Sequence, residues 1–475
     1  MDFSSFLLVL APVVYGLGIV GAVHAVITSR TSQGALAWAL SLVYLPFIAL
    51  PLYAIFGRGR FVGYVEARRA SEGAFESYGR ALAAVARNLR APAPEGFSGI
   101  TACERLARMP VISGNRATLL IDGEATFEAI FEAIERAEHY VLLAFYTVRD
   151  DGLGRRLRER LAARARAGVR ICLLYDEFGS HALSWSYLGE LERAGVRTSP
   201  FNSSKGPTNR LQVNFRNHRK IVVVDGRVAF LGGHNVGDEY LGRDPAMSPW
   251  RDTHIRIEGP AALACQLVFA EDWNWATGEL LEVDWSAPPG PQGTQDVLIV
   301  PSGPADELET CALLYTHAIT EARRRVWIVS PYFVPDIDIL TALKIAALRG
   351  VDVRVLVPEI PDHWIAWLAA FAYFGEVQDA GVRIHRYTGG FLHQKVMLID
   401  DTAATVGTVN LDNRSFRLNF EITALVLDRG FATEVAAMLE RDFANSYLYD
   451  HATFRHRPLW VRLGAQIARL ASPVL

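Results

Sequence analysis

His218-Arg219-Lys220-Ile221-Val222-Val223-Val224-Asp225 and His393-Gln394-Lys395-Val396-Met397-Leu398-Ile399-Asp400 both read H-x-K-x-x-x-x-D within one chain of 475 residues. Residues i and i+2 of a strand share a face, so each copy sets an imidazole beside an ammonium, and the apolar run that follows builds a buried strand. Gly232 and Asn235 follow the first copy at the same offset at which Gly407 and Asn410 follow the second.

The duplication extends outward. Tyr140-Val-Leu-Leu-Ala-Phe-Tyr-Thr-Val148 matches Val326-Trp-Ile-Val-Ser-Pro-Tyr-Phe-Val334, and Gly168-Val-Arg-Ile-Cys-Leu-Leu-Tyr-Asp176 matches Gly350-Val-Asp-Val-Arg-Val-Leu-Val-Pro358. Gly195-Val-Arg197 and Gly381-Val-Arg383 continue the series, with Ala-, Leu- and Arg-rich helical segments in the gaps. Strands alternating with helices predict α/β units of βαβ type with parallel sheets, here two in tandem about a pseudo-twofold axis.

Two His and two Lys around one cavity suit a phosphodiester: the cations neutralise its oxygens, one imidazole attacks phosphorus and the other protonates the leaving oxygen. The catalytic set is His218, Lys220, Asp225, His393, Lys395 and Asp400. The two Asp, separated from the Lys across the strand end, brace the site rather than touch phosphate, or else serve as turn formers before Gly226 and Thr402. Asn235 and Asn410 are candidate phosphate donors. A catalytic His needs a carboxylate on its other nitrogen, and Asp252 and Glu421, in aligned segments, are the orienting candidates. His234, His254, Ser415, Tyr146, Tyr332 and Asp176 are weaker candidates, equally suited to structural roles. Arg216, Arg219 and Lys220 give His218 a cationic setting, which favours a neutral nucleophile, whereas Gln394 replaces Arg219 beside His393.

Hydrophobic residues make up 51% of the chain, and 48 Lys+Arg against 51 Asp+Glu give a net charge of -3. This excludes a disordered chain and offers no basic field for nucleic acid. Only four of the 48 cations are Lys, and two of these stand in the repeated motif. The four cysteines, far apart and without a C-x-x-C pair, predict a reduced, zinc-free chain; no metal and no cofactor are expected. Residues 3–29 and 31–57 carry no charge and Arg30 alone separates them, which predicts a transmembrane two-helix hairpin. Arg58, Arg60, Arg68 and Arg69 follow it, so both termini are expected in the cytoplasm.

On these residues the chain resembles the phospholipase D superfamily and, within it, the bacterial cardiolipin synthases. The likeness includes Tyr175-Asp176-Glu-Phe-Gly179-Ser180, Asn214-Phe-Arg216-Asn217-His218-Arg219-Lys220, Trp250-Arg251-Asp252-Thr-His254 and Ser330-Pro331-Tyr332-Phe333-Val-Pro335. It implies metal-independent transfer of a phosphatidyl group through a phosphohistidine, joining two phosphatidylglycerols into cardiolipin with release of glycerol. It also implies a bacterial inner membrane location, with several spans and catalytic domains on the cytoplasmic side. Expected partners are phospholipid and membrane, with no nucleic acid; a homo-oligomer is compatible. The alternative is a membrane-anchored phospholipase D that passes the phosphatidyl group to water.

The predicted division is residues 1–60 as membrane helices, 61–105 as a surface helix and linker, and 106–290 and 291–475 as phospholipase D-like domains. The aromatic-rich run 363–374 and the tail 458–475 are additional candidates for lipid contact.

Overall fold

The computed structural model describes residues 3–57, 59–89, 97, 99–202, 214–286 and 292–475. Arg58 and the Pro-rich linker at 91–94 lie outside the described residues.

Short runs of β-branched and aliphatic residues form the strands, because such side chains pack well on a pleated surface covered on both faces. The first repeat contributes β1 (Ile112–Ile121), β2 (Tyr140–Phe145), β3 (Arg170–Tyr175), β4 (Arg197–Pro200), β5 (Ile221–Val224), β6 (Val228–Gly232) and β7 (Thr253–Glu258). The second contributes β8 (Gln295–Ser302), β9 (Arg325–Val329), β10 (Asp352–Pro358), β11 (Arg383–Tyr387), β12 (Val396–Ile399), β13 (Ala403–Gly407) and β14 (Asn419–Leu427). All join one sheet in the order β4-β3-β2-β5-β6-β7-β1-β8-β14-β13-β12-β9-β10-β11. This order is a palindrome, each strand mirrored by its counterpart across the antiparallel β1–β8 seam, as a pseudo-twofold axis requires.

The sheet is mixed rather than parallel. Only β2-β3-β4 and β9-β10-β11 run parallel, each joined by a crossover helix such as Gly152–Arg166 or Ile337–Leu348. The motif strands β5 and β12 are antiparallel to both neighbours. The cause is local: three residues connect β5 to β6, with Asp225 at φ 51° and Gly226 at φ 65°, and so short a turn can only reverse the chain.

The surface helix expected within residues 61–105 is two helices with a buried face. Helices Val62–Ala70 and Glu72–Asn88 bury Tyr64, Phe75, Leu82 and Ala86 in the main core, and Phe61 before them is fully buried. The predicted membrane hairpin also changes form. Helix α1 (Phe3–Thr28) is continuous, whereas the second apolar run breaks at Leu45 into α2 (Ser32–Tyr44) and α3 (Pro46–Phe56). Among the described residues, only Leu10–Thr28 is long and apolar enough to cross a membrane.

Candidate active site

Two short cross-repeat strand pairs build the site. Arg216–Asn217 runs parallel to Asn419–Phe420, and the His218 N–H donates to the Phe420 carbonyl at 2.9 Å. Phe391–Leu392 runs parallel to Trp250–Arg251, and the His393 N–H donates to the Arg251 carbonyl at 2.8 Å. Each histidine therefore enters beside the residue preceding a carboxylate of the opposite repeat.

The side chains complete the exchange. His218 Nδ1 lies 2.9 Å from both oxygens of Glu421, and His393 Nδ1 lies 2.7 Å from Asp252 Oδ2. A carboxylate only accepts, so each Nδ1 carries a proton, and Nε2 presents its lone pair in the neutral ring or a second proton in the imidazolium. Both carboxylates are fully buried, and Thr408 Oγ1 (2.5 Å) and Asn419 Nδ2 (3.2 Å) donate to Glu421. Burial raises the Asp252 carboxyl, but His234, Lys395 and His393 overcome it and hold the group ionised. Glu421 is likewise lowered, His218 and Lys220 outweighing burial.

Lys220 Nζ donates to the His218 carbonyl at 2.7 Å, and Lys395 Nζ donates to the His393 carbonyl and lies 2.9 Å from His393 Nδ1. Both ammonium groups are buried, and burial lowers them, Lys220 to about 7 and Lys395 to about 8. Lys395 also acts on Lys220 and His218 across the axis, so the two motifs share one electrostatic site. Burial, reinforced by Lys220 and Lys395, lowers His218 to about 4 against the pull of Glu421. His393 is lowered by burial and Lys395, with Asp252 and Asp362 opposing.

The two motif aspartates lie elsewhere. Asp225 accepts the backbone N–H groups of Glu138, His139 and Tyr140, each at 2.8 Å, and Asp400 accepts those of Arg323 at 3.1 Å, Arg324 at 2.7 Å and Arg325 at 3.0 Å. They close the turns after β5 and β12, about 16 Å along the strand from the Lys at roughly 3.3 Å per residue. Their place in the catalytic set is thus corrected to a structural one. Asn235 is also spent internally, accepting from Thr147 N at 3.0 Å and donating to Tyr240 at 2.9 Å. Asn410 differs: its buried side-chain oxygen has no partner.

Among the weaker candidates, the Tyr146 ring packs edge-on against His218 at 5.2 Å, and Tyr332 donates to Asp362 at 2.5 Å. Asp176 accepts from Phe178, Gly179 and Asn217 N–H groups, and Ser415 Oγ accepts the Asn410 N–H, so both order loops. His234 and His254 face each other at 3.3 Å behind Asp252. Arg219 does not supply the cationic setting expected for His218: its guanidinium is paired with Asp272 at 2.7 Å.

The model for "Cardiolipin synthase, PLD-like domain" matches residues 130–261 and 315–445, one region in each repeat. The chain belongs to this family. It is 48% identical over 478 residues to cardiolipin synthase A of Pseudomonas aeruginosa, covering 100% of this chain and 97% of that one. It is 49% identical over 462 residues to the cardiolipin synthase A of Pseudomonas fluorescens, covering 97% and 96%. The phosphatidylserine synthase structure from Haemophilus influenzae shares the fold, with TM-score 0.58 at 14% identity over 79% of this chain and 99% of that one.

Sequence reading missed several supports of this family's site: Thr408 on Glu421, Asp272 on Arg219, Asp442 on Arg251 and Gln394, and Asp362 near His393. Asp272 pairs with Arg219 and Asp442 with Gln394, the second residues of the two motifs, each from the helix that follows the orienting carboxylate, Ala262–Thr277 and Arg429–Ala444.

Proposed function

We propose that the protein is a cardiolipin synthase that transfers a phosphatidyl group from one phosphatidylglycerol to another. His218 Nε2 attacks the phosphorus of the first lipid, and the bond to glycerol oxygen breaks as His393 gives that oxygen its Nε2 proton. His393 then takes a proton from a hydroxyl of the second phosphatidylglycerol, whose oxygen displaces His218 to give cardiolipin. Lys220 and Lys395 balance the phosphate charge throughout, and Asn410 is kept as a candidate donor through its Nδ2.

The observation that carries this reading is the crossed pairing of His218 with Glu421 and His393 with Asp252. Both imidazoles are lowered, His218 to about 4 by burial with Lys220 and Lys395, which suits it as the neutral nucleophile, while Asp252 and Asp362 oppose the lowering of His393. A catalytic body on the cytoplasmic face of a bacterial inner membrane suits Arg30, Arg60, Arg68 and Arg69, which flank the apolar segments. A second lipid-contacting surface suits the C-terminal helix Leu459–Arg469. It packs Ala465 and Ala468 inward while Trp460, Leu463 and Ile467 stand exposed.

Purified protein supplied with labelled phosphatidylglycerol tests the reading. Cardiolipin and glycerol in equal amounts are expected; phosphatidic acid as the product would replace transfer by hydrolysis.

A further inference from the structure

The second apolar run folds back on itself. Arg30, just before it, donates from Nη2 to the Gly59 carbonyl, just after it, at 2.6 Å. Trp38 of α2 and Tyr53 of α3 meet edge to face with ring centroids 5.1 Å apart. Leu42 and Leu50 both lie against Gly21 of α1. Each of these pairs straddles Leu45–Pro46 almost symmetrically, which is the register of an antiparallel helical hairpin with its tip at those two residues.

The same contacts measure its depth. His24 Nδ1 meets Tyr53 Oη at 2.7 Å, Gly21 faces Leu42 and Leu50, and Gly18 faces Leu42 and Pro46. From Thr28, where α1 ends, to Gly18 is about 15 Å at 1.5 Å per residue. That is about half of a hydrocarbon core of ~30 Å. The arms, Ser32–Tyr44 and Pro46–Phe56, have 13 and 11 residues, so each is about 20 Å or less in length and falls short of crossing.

The sequence explains the reversal. Pro46 has no N–H to continue α2, and Leu45 leaves the helix at φ -131° and ψ 47°. Gly18 makes room for the tip: a Cβ there would stand 2.3 Å from the Leu42 carbonyl oxygen. Backbone that turns at membrane depth is tolerated where protein covers it, and α1 supplies that cover through Gly18, Ala22 and Ala25. Outward, Leu36, Leu40, Tyr44, Leu45, Ile48 and Leu52 are exposed, a surface suited to lipid. The mouth rests on the catalytic body, where Arg30 pairs with Glu309 at 3.3 Å and Arg60 donates to the Glu307 carbonyl at 3.1 Å.

We infer that residues 32–56 form a re-entrant hairpin seated in the leaflet next to the catalytic body, and that the chain crosses the bilayer once, at residues 10–28. The residues before Leu10 then lie across the membrane from the catalytic body, while Arg30 lies on the same side as that body.

Single cysteines in the full-length protein test this, since Cys103, Cys172, Cys265 and Cys311 are all buried. Ser4→Cys, Ser32→Cys and Ser77→Cys are labelled in bacterial spheroplasts with a membrane-impermeant maleimide, before and after permeabilisation. Ser32→Cys and Ser77→Cys should label together, and Ser4→Cys from the opposite side. Ser32→Cys opposite Ser77→Cys would restore two spans, and all three on one side would remove the crossing. If Ser32→Cys and Ser77→Cys label together from outside, the hairpin stands and only the cytoplasmic placement of the catalytic body fails. Trp38→Cys combined with Tyr53→Cys should form a disulfide with a lipid-soluble oxidant. A straight helix would hold these positions about 22 Å apart at 1.5 Å per residue and give none.

Discussion

The Asp252 carboxylate lies 2.7 Å from His393 Nδ1, although 141 positions and the boundary between the repeats separate them. Glu421 and His218, 203 positions apart, repeat the relation in the other direction at 2.9 Å. Neither repeat therefore owns a complete histidine pair. Replacing Asp252 by Asn or Glu421 by Gln puts an amide N–H within reach of Nδ1 and favours the wrong tautomer. Turnover should fall roughly 10³- to 10⁴-fold with the fold retained. Glu421→Gln should act through the nucleophile His218 and Asp252→Asn through the acid His393, and both should slow the single step in which glycerol leaves. Equal activity in the wild type and either variant would exclude the orienting role.

The two histidines should separate in a trapping experiment. After exposure to labelled phosphatidylglycerol, His393→Ala should accumulate an acid-labile phosphatidyl adduct slowly, and His218→Ala should show none. An adduct on His393 in the His218→Ala protein would reverse the assignment.

The lysines set an unusual alkaline limit. A lysine ordinarily loses its proton near 10.5, but here Lys220 is lowered to about 7 and Lys395 to about 8. Only the protonated forms neutralise phosphate, so lipid capture weakens as pH rises through those values. The profile of kcat/KM at fixed lipid composition should fall on its alkaline side below pH 8; a limb at pH 9 or above would contradict the lysine assignment.

With two ammonium groups supplying the positive charge at phosphate, activity on phosphatidylglycerol should survive EDTA. Complete loss on chelation, restored by one divalent ion, would refute that role for Lys220 and Lys395.

Asp225→Ala removes the acceptor for three backbone N–H groups and places Ala at φ 51°. It should lower stability by about 2–4 kcal/mol, read by denaturant titration. Turnover per folded molecule should change only a few-fold. A collapse of turnover in a stably folded variant would return Asp225 to the catalytic set.

The repeat, the α/β class and the meeting of two His–Lys pairs were legible because each is written in local spacing. Asp252 and Glu421 were legible as orienting candidates from their aligned segments, but which of them serves which histidine was not, since that depends on Arg216–Asn217 pairing with Asn419 and Phe420 some two hundred residues away. Asp225 and Asp400 were legible as bracing groups or turn formers, and they recur with the motif because both close the turn that follows it. The second apolar run was read as one helix because hydropathy counts apolar residues without recording direction, whereas the chain breaks at Leu45–Pro46 into two shorter helices. Parallel strands were expected in β5 and β12 because alternation with helices was read as uniform, while a three-residue connection forces antiparallel pairing.

The burial of Phe61 decides where a membrane-free fragment can begin. Its ring lies 5.0 Å from Trp275, 5.1 Å from Phe215 and 5.8 Å from Phe420, the neighbour of Glu421. Tyr64, one turn later, donates to Asp272, the counter-ion of Arg219. A fragment starting at Phe61 or earlier keeps this aromatic plug, whereas one cut at 106 loses it and uncovers Phe215, Trp275 and Phe420.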